Sequence, residues 1–561
     1  MTTLLGALLI LVAFFLPSVT LATLLNPNFQ DSRDILIQGV QIFKVALIVL
    51  GGLIILFPRL PVWENTPRKR DLKHSDEVSD KIALIILLGI LILATALRIY
   101  RLDAGLWLDE MLTYTNYAQM PFSQIITTYD SENQHFLYSI LSHVSFATFG
   151  ESAWSVRLPA VLFGVGSIWA LYMLGREVTS NREALLATAL FAFSYHHVWF
   201  SQNARGYTGL LFWAILSSLF FVRALREGRS RYWLLYAVSA ALGVYTHITM
   251  IFMIMGQFAI YAIKLFLHRK EQFSNRWTGL FMGFGMAGFF IFLLYALIIP
   301  QVLGVIGGSE ASVVAEWKNP LWTLLEFING LQVSLSGGVV AAAAVALAAL
   351  LLFSAGLVSY LRSEWIVVAM LLIPAIIGAV VTIAIGHHLW PRFFFFTFGF
   401  GALIVIRGIT VGVGIVGRLF NFSDQRIKLI GTVASLLLII VSFASALLAF
   451  GPKQDFEGAL AFVESNRSTG DAVATFGLAA NVYKSFYDVD WEFAETKDEL
   501  DAVQKQADRT WVLYTFPPVA ESLQPDIMAD LNNEFRLIKE FPGTVRQGTV
   551  YVKLSERQPA G

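Results

Sequence analysis

The stretch Lys81-Ile-Ala-Leu-Ile-Ile-Leu-Leu-Gly-Ile-Leu-Ile-Leu-Ala-Thr-Ala-Leu-Arg98-Ile-Tyr-Arg101-Leu-Asp-Ala-Gly105-Leu-Trp-Leu-Asp109-Glu110 decides how the chain folds. Its first part is an apolar run long enough to cross about 30 Å of hydrocarbon as a helix, the only open-chain form that satisfies its own backbone there. Its end is a pair of acids set directly beside that span. Similar runs recur outward from it. They lie at about 3–25, 35–57, 81–99, 155–176, 182–200, 205–223, 231–247, 249–267, 278–300, 338–360, 364–384, 392–417 and 427–450, which predicts thirteen spans. The composition agrees: 56% of the 561 residues are hydrophobic, 14% are charged, and the mean hydropathy is +0.64. Soluble chains carry about 25% charged residues.

The zero net charge gives no overall case for nucleic-acid binding. The absence of cysteine excludes disulfides, Cys-ligated zinc and thiol chemistry. The first run follows Met1-Thr2-Thr3, has no basic residue before it and is too long for a signal-peptide core, so it reads as a retained span.

Orientation follows from Lys and Arg, which concentrate in cytoplasmic loops. With the N-terminus inside, twenty-one fall in inward loops, among them Arg59, Arg68, Lys69, Arg70, Lys73, Arg176, Arg182, Arg223, Arg226, Arg269, Lys270, Arg407 and Lys428. Only seven face outward in the membrane part: Arg33, Arg98, Arg101, Arg157, Arg205, Lys318 and Arg392. Two outward loops are long, at about 100–154 and 301–337. After the last span the composition changes. Residues 452–561 hold eleven Lys/Arg against eighteen Asp/Glu. Helical patterns at about 455–466, 478–487, 497–507 and 524–534 alternate with strand patterns at 472–476, 510–516, 536–541 and 548–554, which predicts a small α/β domain. An odd number of spans places this domain outside the membrane, on the extracytoplasmic face. The division is thus 1–80, two N-terminal spans and a basic cytoplasmic loop; 81–451, a transmembrane core with the loop 100–154; and 452–561, the soluble domain.

The chemistry concentrates in the first long loop. Asp109 and Glu110 sit among Trp107, Leu108, Met111 and Leu112, a collar in which a carboxylate can act as a general base. The same two acids also suit the N-terminus of an interfacial helix. Further on, Tyr129-Asp-Ser-Glu132-Asn-Gln-His135-Phe-Leu-Tyr138 runs into an apolar stretch of about 14 residues, too short to span. Glu132 and His135 are three apart, near enough to face one cation or one sugar, although two ligands make no metal site and a solvated loop fits equally. Arg157, Arg205, His247, His387, His388 and Arg392 recur at outward helix ends. Singly each reads as a side chain snorkelling to headgroups. Together they suit a phosphate, whose oxygens match guanidinium bidentately. Walker A, Rossmann, HExxH and GxSxG patterns are absent from the sequence.

Gly105-Leu-Trp-Leu-Asp109-Glu110, His135-Phe-Leu-Tyr138 and Phe149-Gly150-Glu-Ser-Ala-Trp-Ser-Val-Arg157-Leu-Pro-Ala resemble the first external loop and following span of the C-type (GT-C) membrane glycosyltransferases. The similarity is to their polyprenyl-phosphate-sugar branch, which includes protein O-mannosyltransferases and the lipid A aminoarabinose transferase. Ala204-Arg205-Gly-Tyr207, Tyr245-Thr-His247 and Pro391-Arg392-Phe-Phe resemble further short motifs of that branch, so the likeness covers about 81–450. The resemblance implies inverting transfer of a sugar from a polyprenyl-phosphate donor to a glycan, lipid or protein acceptor at the outer face of the cell membrane. It implies Asp109 as the base with Glu110 as second acid, Arg205, Arg392, Arg157, His247 and Tyr207 toward the donor phosphate, and His135 and Tyr138 in the substrate loop. In some relatives a divalent ion binds near this loop, with Glu132 and His135 as the matching candidates here. Two departures stand out: family members often have His-Pro-Pro-Leu-Tyr where this chain has His135-Phe-Leu-Tyr138 and no proline, and two extra spans precede the core. The alternatives are a lipid-sugar flippase or other transporter, which would favour internal repeats and mid-span charges, and a scaffold displaying the acidic tail.

Overall fold

In a computed structural model of the chain, the described residues are 2–27, 33–56, 78–267, 276–308 and 338–556, with Val314, Asn319 and Trp322. The basic stretch Arg59–Lys73, Arg269, Lys270, Lys318 and nearly all of the second outward loop lie outside them.

Among these residues nine helices are long and apolar enough to cross a membrane, or eleven if each of two bent pairs counts as one span. Of the expected thirteen runs, four are not single straight helices of that length among the described residues. The first is α1 (Thr2–Phe15) and α2 (Ser18–Leu25), bent by 107° at Pro17; proline cannot donate to the helix ladder and crowds the preceding turn. After α3 (Arg33–Leu56), α4 (Asp80–Ile99), α5 (Leu108–Thr113), α6 (Phe122–Ile125), α7 (Phe136–Phe149) and α8 (Ala153–Val178), the run expected at 182–200 proves to be two short helices, α9 (Asn181–Ala192) and α10 (Tyr195–Ser201). The carbonyls freed at this break are taken by side chains: Arg98 Nη2 donates to Ala192 O at 3.0 Å and Ser442 Oγ to Phe193 O at 3.3 Å. Following α11 (Tyr207–Glu227), α12 (Ser230–Thr246) has only 17 residues, and α13 (Met250–Leu267) has 18. The fourth run is bent by 87° between Gly279–Tyr295 and Ile299–Val305, next to Pro300. The outer faces of the long helices are apolar. On α4, Leu84, Ile85, Leu88 and Ile92 are exposed while Ala83, Leu87, Ile90 and Ala94 are buried. Such a surface is stable against lipid rather than water, and the protein is a multi-pass helical membrane protein.

The two ends of the bundle are chemically distinct. At one end Arg176 pairs with Asp80 at 2.7 Å, Arg223 with Glu177 at 2.8 Å, Arg226 with Glu364 at 2.7 Å and Arg407 with Glu183 at 3.1 Å. Arg157 lies at the other end of the same helix that carries Arg176, about 28 Å away at 1.5 Å per residue. Among the described residues, Arg176, Arg223, Arg226 and Arg407 of the inward set thus pair with acids at one end, and Arg157, Arg205 and Arg392 of the outward set lie at the other. Fourteen-residue α7 lies in the first long loop, matching the short apolar stretch read there.

Beyond the helix Asp424–Ala446 the chain builds a five-stranded mixed sheet, β1 (Ala472–Thr475), β2 (Glu492–Phe493), β3 (Arg509–Thr515), β4 (Arg536–Phe541) and β5 (Val550–Glu556), in the order β2-β1-β3-β5-β4. The β1–β2 and β1–β3 pairs are parallel, and β5 runs antiparallel to β3 and β4. The four expected strands match β1, β3, β4 and β5; β2, of two residues, carried too little pattern to be read. Strand alternation sends Val473, Trp511, Leu513, Val552 and Leu554 to one face, where they share a core with Leu106, Trp107, Leu108, Met111 and Tyr114 of the first loop. Ala474, Val512 and Tyr514 face a second core with Leu500, Ile527 and Leu531. The C-terminal unit is therefore packed against the acid-bearing loop.

Asp471 anchors this sheet. It accepts from Arg509 Nη2 at 2.5 Å, from Trp511 Nε1 at 3.0 Å and from Ser468 N at 2.9 Å. The Arg509 guanidinium first of all, with these N–H donors, holds its carboxyl down at about 2. A depressed carboxylate stabilises the fold above its unfolded value near ~3.9 and loses that contribution as the pH falls toward the folded value. Asp471→Asn should lower stability at neutral pH by about 1 kcal/mol, after allowance for the exposure of Arg509. The gap to the unsubstituted protein should close between pH 4 and pH 2 in thermal unfolding of the detergent-solubilised chain.

Candidate active site

The site is assembled where α5, α8, α10 and the residues after it, and the segment 391–397 meet. Glu110 is fully buried. Its Oε1 accepts from Arg157 Nε at 2.8 Å and from Ala204 N at 2.6 Å; its Oε2 accepts from Arg157 Nη2 at 2.6 Å and from Trp107 N at 3.3 Å. Burial alone would raise its titration point, but the nearby Arg157 and Lys453 charges and these donors hold it below the usual carboxylate range. Arg157 is saturated as well. Besides Glu110 it donates Nη1 to Leu102 O at 2.8 Å and Ala104 O at 2.6 Å, and Nη2 to Gly105 O at 3.0 Å. All five of its N–H groups are engaged, so the structure sets Arg157 apart from the phosphate-facing cations with which the sequence grouped it. Glu110 likewise is set apart from Asp109: it faces inward to a structural joint.

Asp109 points the other way and keeps 19% of its side-chain surface exposed. Its Oδ2 lies 3.1 Å from Arg205 Nη1 and 3.6 Å from Arg392 Nη1. Arg205 follows α10 and sits one residue after Ala204, the residue whose amide holds Glu110, so one turn positions both acids. Arg392 is braced by Trp390, whose ring lies 4.7 Å from its guanidinium carbon. Two guanidiniums around one carboxylate leave an excess positive charge.

Three rings complete the wall. His135 stacks on His247 at 4.5 Å with an interplanar angle of 24°, and Tyr207 lies 4.9 Å from His247 and 6.0 Å from His135. Burial, followed by the charges of Arg205 and Arg392, lowers His247 to about 3; burial, then its neighbours His247, Arg205 and Arg392, pushes His135 well below the usual imidazole range. Both rings are neutral at neutral pH. Thr249 N donates toward His247 Nδ1 at 3.4 Å. Thr249 Oγ1 lies 2.9 Å from the same nitrogen, a contact in which either atom can donate. Among the described residues, His247 Nε2, His135 Nε2, Arg205 Nε and Arg392 Nε are buried with no hydrogen-bond partner, while Arg205 Nη1 is engaged by its ion pair with Asp109. Unmet buried polar groups are costly in a folded chain and point to a ligand. The guanidinium N–H groups are donors, and their natural complement is an anion.

The remaining predicted residues fall elsewhere. Tyr138 is buried and donates to Val156 O at 2.8 Å, a packing role behind Arg157. Glu132 faces His387, with Oε1 and Nδ1 3.3 Å apart, while His135 turns into its stack with His247. The two candidate metal ligands thus diverge, and among the described residues no group of three or more His, Asp or Glu side chains is arranged to hold a metal ion. These residues do not fit a divalent ion.

Sequence reasoning missed Lys453 and Gln454. Lys453 Nζ donates to Gln202 O at 2.6 Å near Glu110, and burial brings its ammonium down to about 7. Gln454 Oε1 accepts from Leu108 N at 3.1 Å. Both are distant in sequence from the loop they hold, and no local pattern marks them.

Residues 134–295 match the family described as dolichyl-phosphate-mannose-protein mannosyltransferase, so over this segment the resemblance to C-type glycosyltransferases stands. The matched segment contains His135, Arg157, Arg205, Tyr207 and His247, and excludes Asp109 and Arg392. No curated protein matches the chain. Similar solved structures include ArnT from Cupriavidus metallidurans bound to undecaprenyl phosphate, at 10% identity and TM-score 0.47, over 85% of this chain and 98% of that one. They also include the archaeal oligosaccharyltransferase AglB from Archaeoglobus fulgidus, in complex with an inhibitory peptide and a dolichol-phosphate, at 12% identity and TM-score 0.46, over 85% and 75%. The arabinosyltransferase EmbB from Mycobacterium smegmatis is similar at 11% identity and TM-score 0.43, over 73% of this chain and 45% of that one.

Removing one partner of the buried pair leaves an uncompensated charge, at a cost of about 3–5 kcal/mol. Arg157→Ala should therefore yield little folded protein, or a thermal midpoint far below that of the unsubstituted chain. An unchanged midpoint would return Arg157 to the ligand-facing set.

Proposed function

We propose that the protein is an integral-membrane glycosyltransferase that moves a sugar from a polyprenyl-phosphate donor to an acceptor hydroxyl at the extracytoplasmic face, with inversion at the anomeric carbon. The observation that carries this reading is the convergence beside Asp109 of two guanidiniums, Arg205 and Arg392, each keeping a buried Nε with no hydrogen-bond partner. The family match over 134–295 supports the reaction class.

In this reading Asp109 takes the proton of the acceptor hydroxyl as its oxygen attacks the anomeric carbon. The bond from that carbon to the phosphate oxygen breaks, and the electron pair leaves with polyprenyl phosphate. Arg205 and Arg392 stabilise the added charge on the departing phosphate. Without donor, Asp109 serves as the counter-ion of both guanidiniums. An arriving phosphate competes for them and frees the carboxylate to act as base. His135, Tyr207 and His247 form the wall against which the donor phosphate rests.

Asp109→Asn keeps the shape of the side chain and removes its basicity. It should abolish transfer of labelled sugar from polyprenyl phosphate while membrane insertion and thermal stability are retained; unchanged turnover would remove Asp109 from the mechanism. Arg205→Gln should raise the donor KM about tenfold or more and leave the acceptor KM within about twofold, since a charge-assisted pair contributes about 1.5–3 kcal/mol. Equal effects on both substrates would argue against a phosphate role.

A further inference from the structure

A cavity of about 220 Å³ opens on the side of Asp109 that faces the C-terminal unit. Its lining includes Asp109, Trp390 and Arg392 on one side and Phe516, Arg546 and Gln547 on the other. Two of these residues carry unusual backbone. Phe516 has φ 50° and Gln547 has φ 61°, and they are two of only five non-glycine residues in the left-handed region among the described residues. A bulky side chain seldom adopts that region, and such strain persists where the surroundings hold it in place, commonly at ligand sites. Here the surroundings include one buried amide. Gln454 accepts from Leu108 N at 3.1 Å, next to Asp109, and donates to Thr515 Oγ1 at 3.2 Å and Gly548 O at 3.1 Å, next to Phe516 and Gln547. The same side chain therefore sets the spacing between the acid and both strained residues.

We propose that this cavity is the acceptor subsite and that it takes a pyranose ring, so that the acceptor is a carbohydrate and the C-terminal unit selects it. The inference rests on the reading of Asp109 as the base, since the base must share a space with the hydroxyl it deprotonates. The lining fits the two chemistries of a sugar. Aromatic faces from Trp390 and Phe516 suit the C–H face of a ring, and the Asp109 carboxylate, the Gln547 amide and the Arg546 guanidinium suit its rim of hydroxyls. The space is below the roughly 300 Å³ typical of drug-sized ligands, consistent with a single terminal ring entering rather than a folded peptide loop. The donor phosphate is held by Arg205 and by Arg392, which also lines the cavity, so donor and acceptor meet at Asp109.

The test uses the full-length protein in lipid nanodiscs and saturation-transfer NMR. The probes are methyl glycopyranosides of glucose, galactose, mannose and N-acetylglucosamine, with N-acetylserine amide and glycerol 3-phosphate standing for peptide and phospholipid acceptors. At least one pyranoside should receive saturation, and its signal should fall about fivefold in both Phe516→Gly and Gln547→Gly, the loss expected for one stacking or hydrogen-bonding contact. Glycine adopts the left-handed region freely, so Gln547→Gly should keep or raise the thermal midpoint, whereas Phe516→Gly also loses the packing of its ring against the core and should lower it modestly. A residue strained for the fold alone would leave pyranoside binding unmoved. The proposal is overturned if no pyranoside binds, if binding survives both substitutions, if the Gln547→Gly midpoint falls, or if the serine amide or glycerol phosphate binds instead. Pyranoside binding should survive Asp109→Asn. Binding without any donor turnover would overturn the proposed reaction alone, and turnover without pyranoside binding would overturn this inference alone.

Discussion

The joint between Glu110 and Arg157 is the constraint on which the outer end of the molecule depends. Two charges are removed from water there, which is costly unless every lone pair and every N–H finds a partner. They do. The carboxylate accepts four N–H groups and the guanidinium uses all five of its own. The partners come from the loop at 102–110, the start of α8 and the turn after α10, and Lys453 from the C-terminal unit adds its charge nearby. Loss of any one piece would leave a buried charge exposed to the rest, so the pieces assemble together.

That joint explains why neighbouring acids behave so differently. Glu110 faces the interior of the loop and is satisfied, while Asp109, one residue earlier, faces the cavity and balances Arg205 and Arg392. Ala204 and Arg205 are also consecutive, and again one holds Glu110 in the joint and the other pairs with Asp109. The buried pair thus acts as the fixed frame, and the residues beside it in sequence project into the open space. The proposed chemistry needs this division: a base must be accessible, and its position must be rigid. The docked C-terminal sheet closes the remaining side through the core it shares with Leu106–Met111.

Much of this was legible in the sequence, for identifiable reasons. Apolar runs of span length are long, redundant signals, and most became helices. The exceptions have causes that lie outside the local pattern. The break between α9 and α10 is satisfied by Arg98 and Ser442, which arrive from elsewhere in the chain. The sheet was readable through strand alternation, apart from two-residue β2. At the site, residue types indicated which groups carry charge and the topology indicated that they share one end. Neither could separate Arg157 from Arg205, because the difference is whether backbone carbonyls of residues 102–105 surround the guanidinium. Lys453 and Gln454 were invisible for a similar reason: their partners are a carbonyl at 202 and an amide at 108.

The central claim is that the outward cluster around Asp109 consumes a lipid-linked sugar. Mass analysis of polyprenyl-phosphate sugars in membranes from cells with and without the protein tests it most directly. The account predicts that one such species accumulates when the protein is absent and returns to its basal level when the intact chain is restored. An identical set of lipid-linked sugars in both membranes would contradict it.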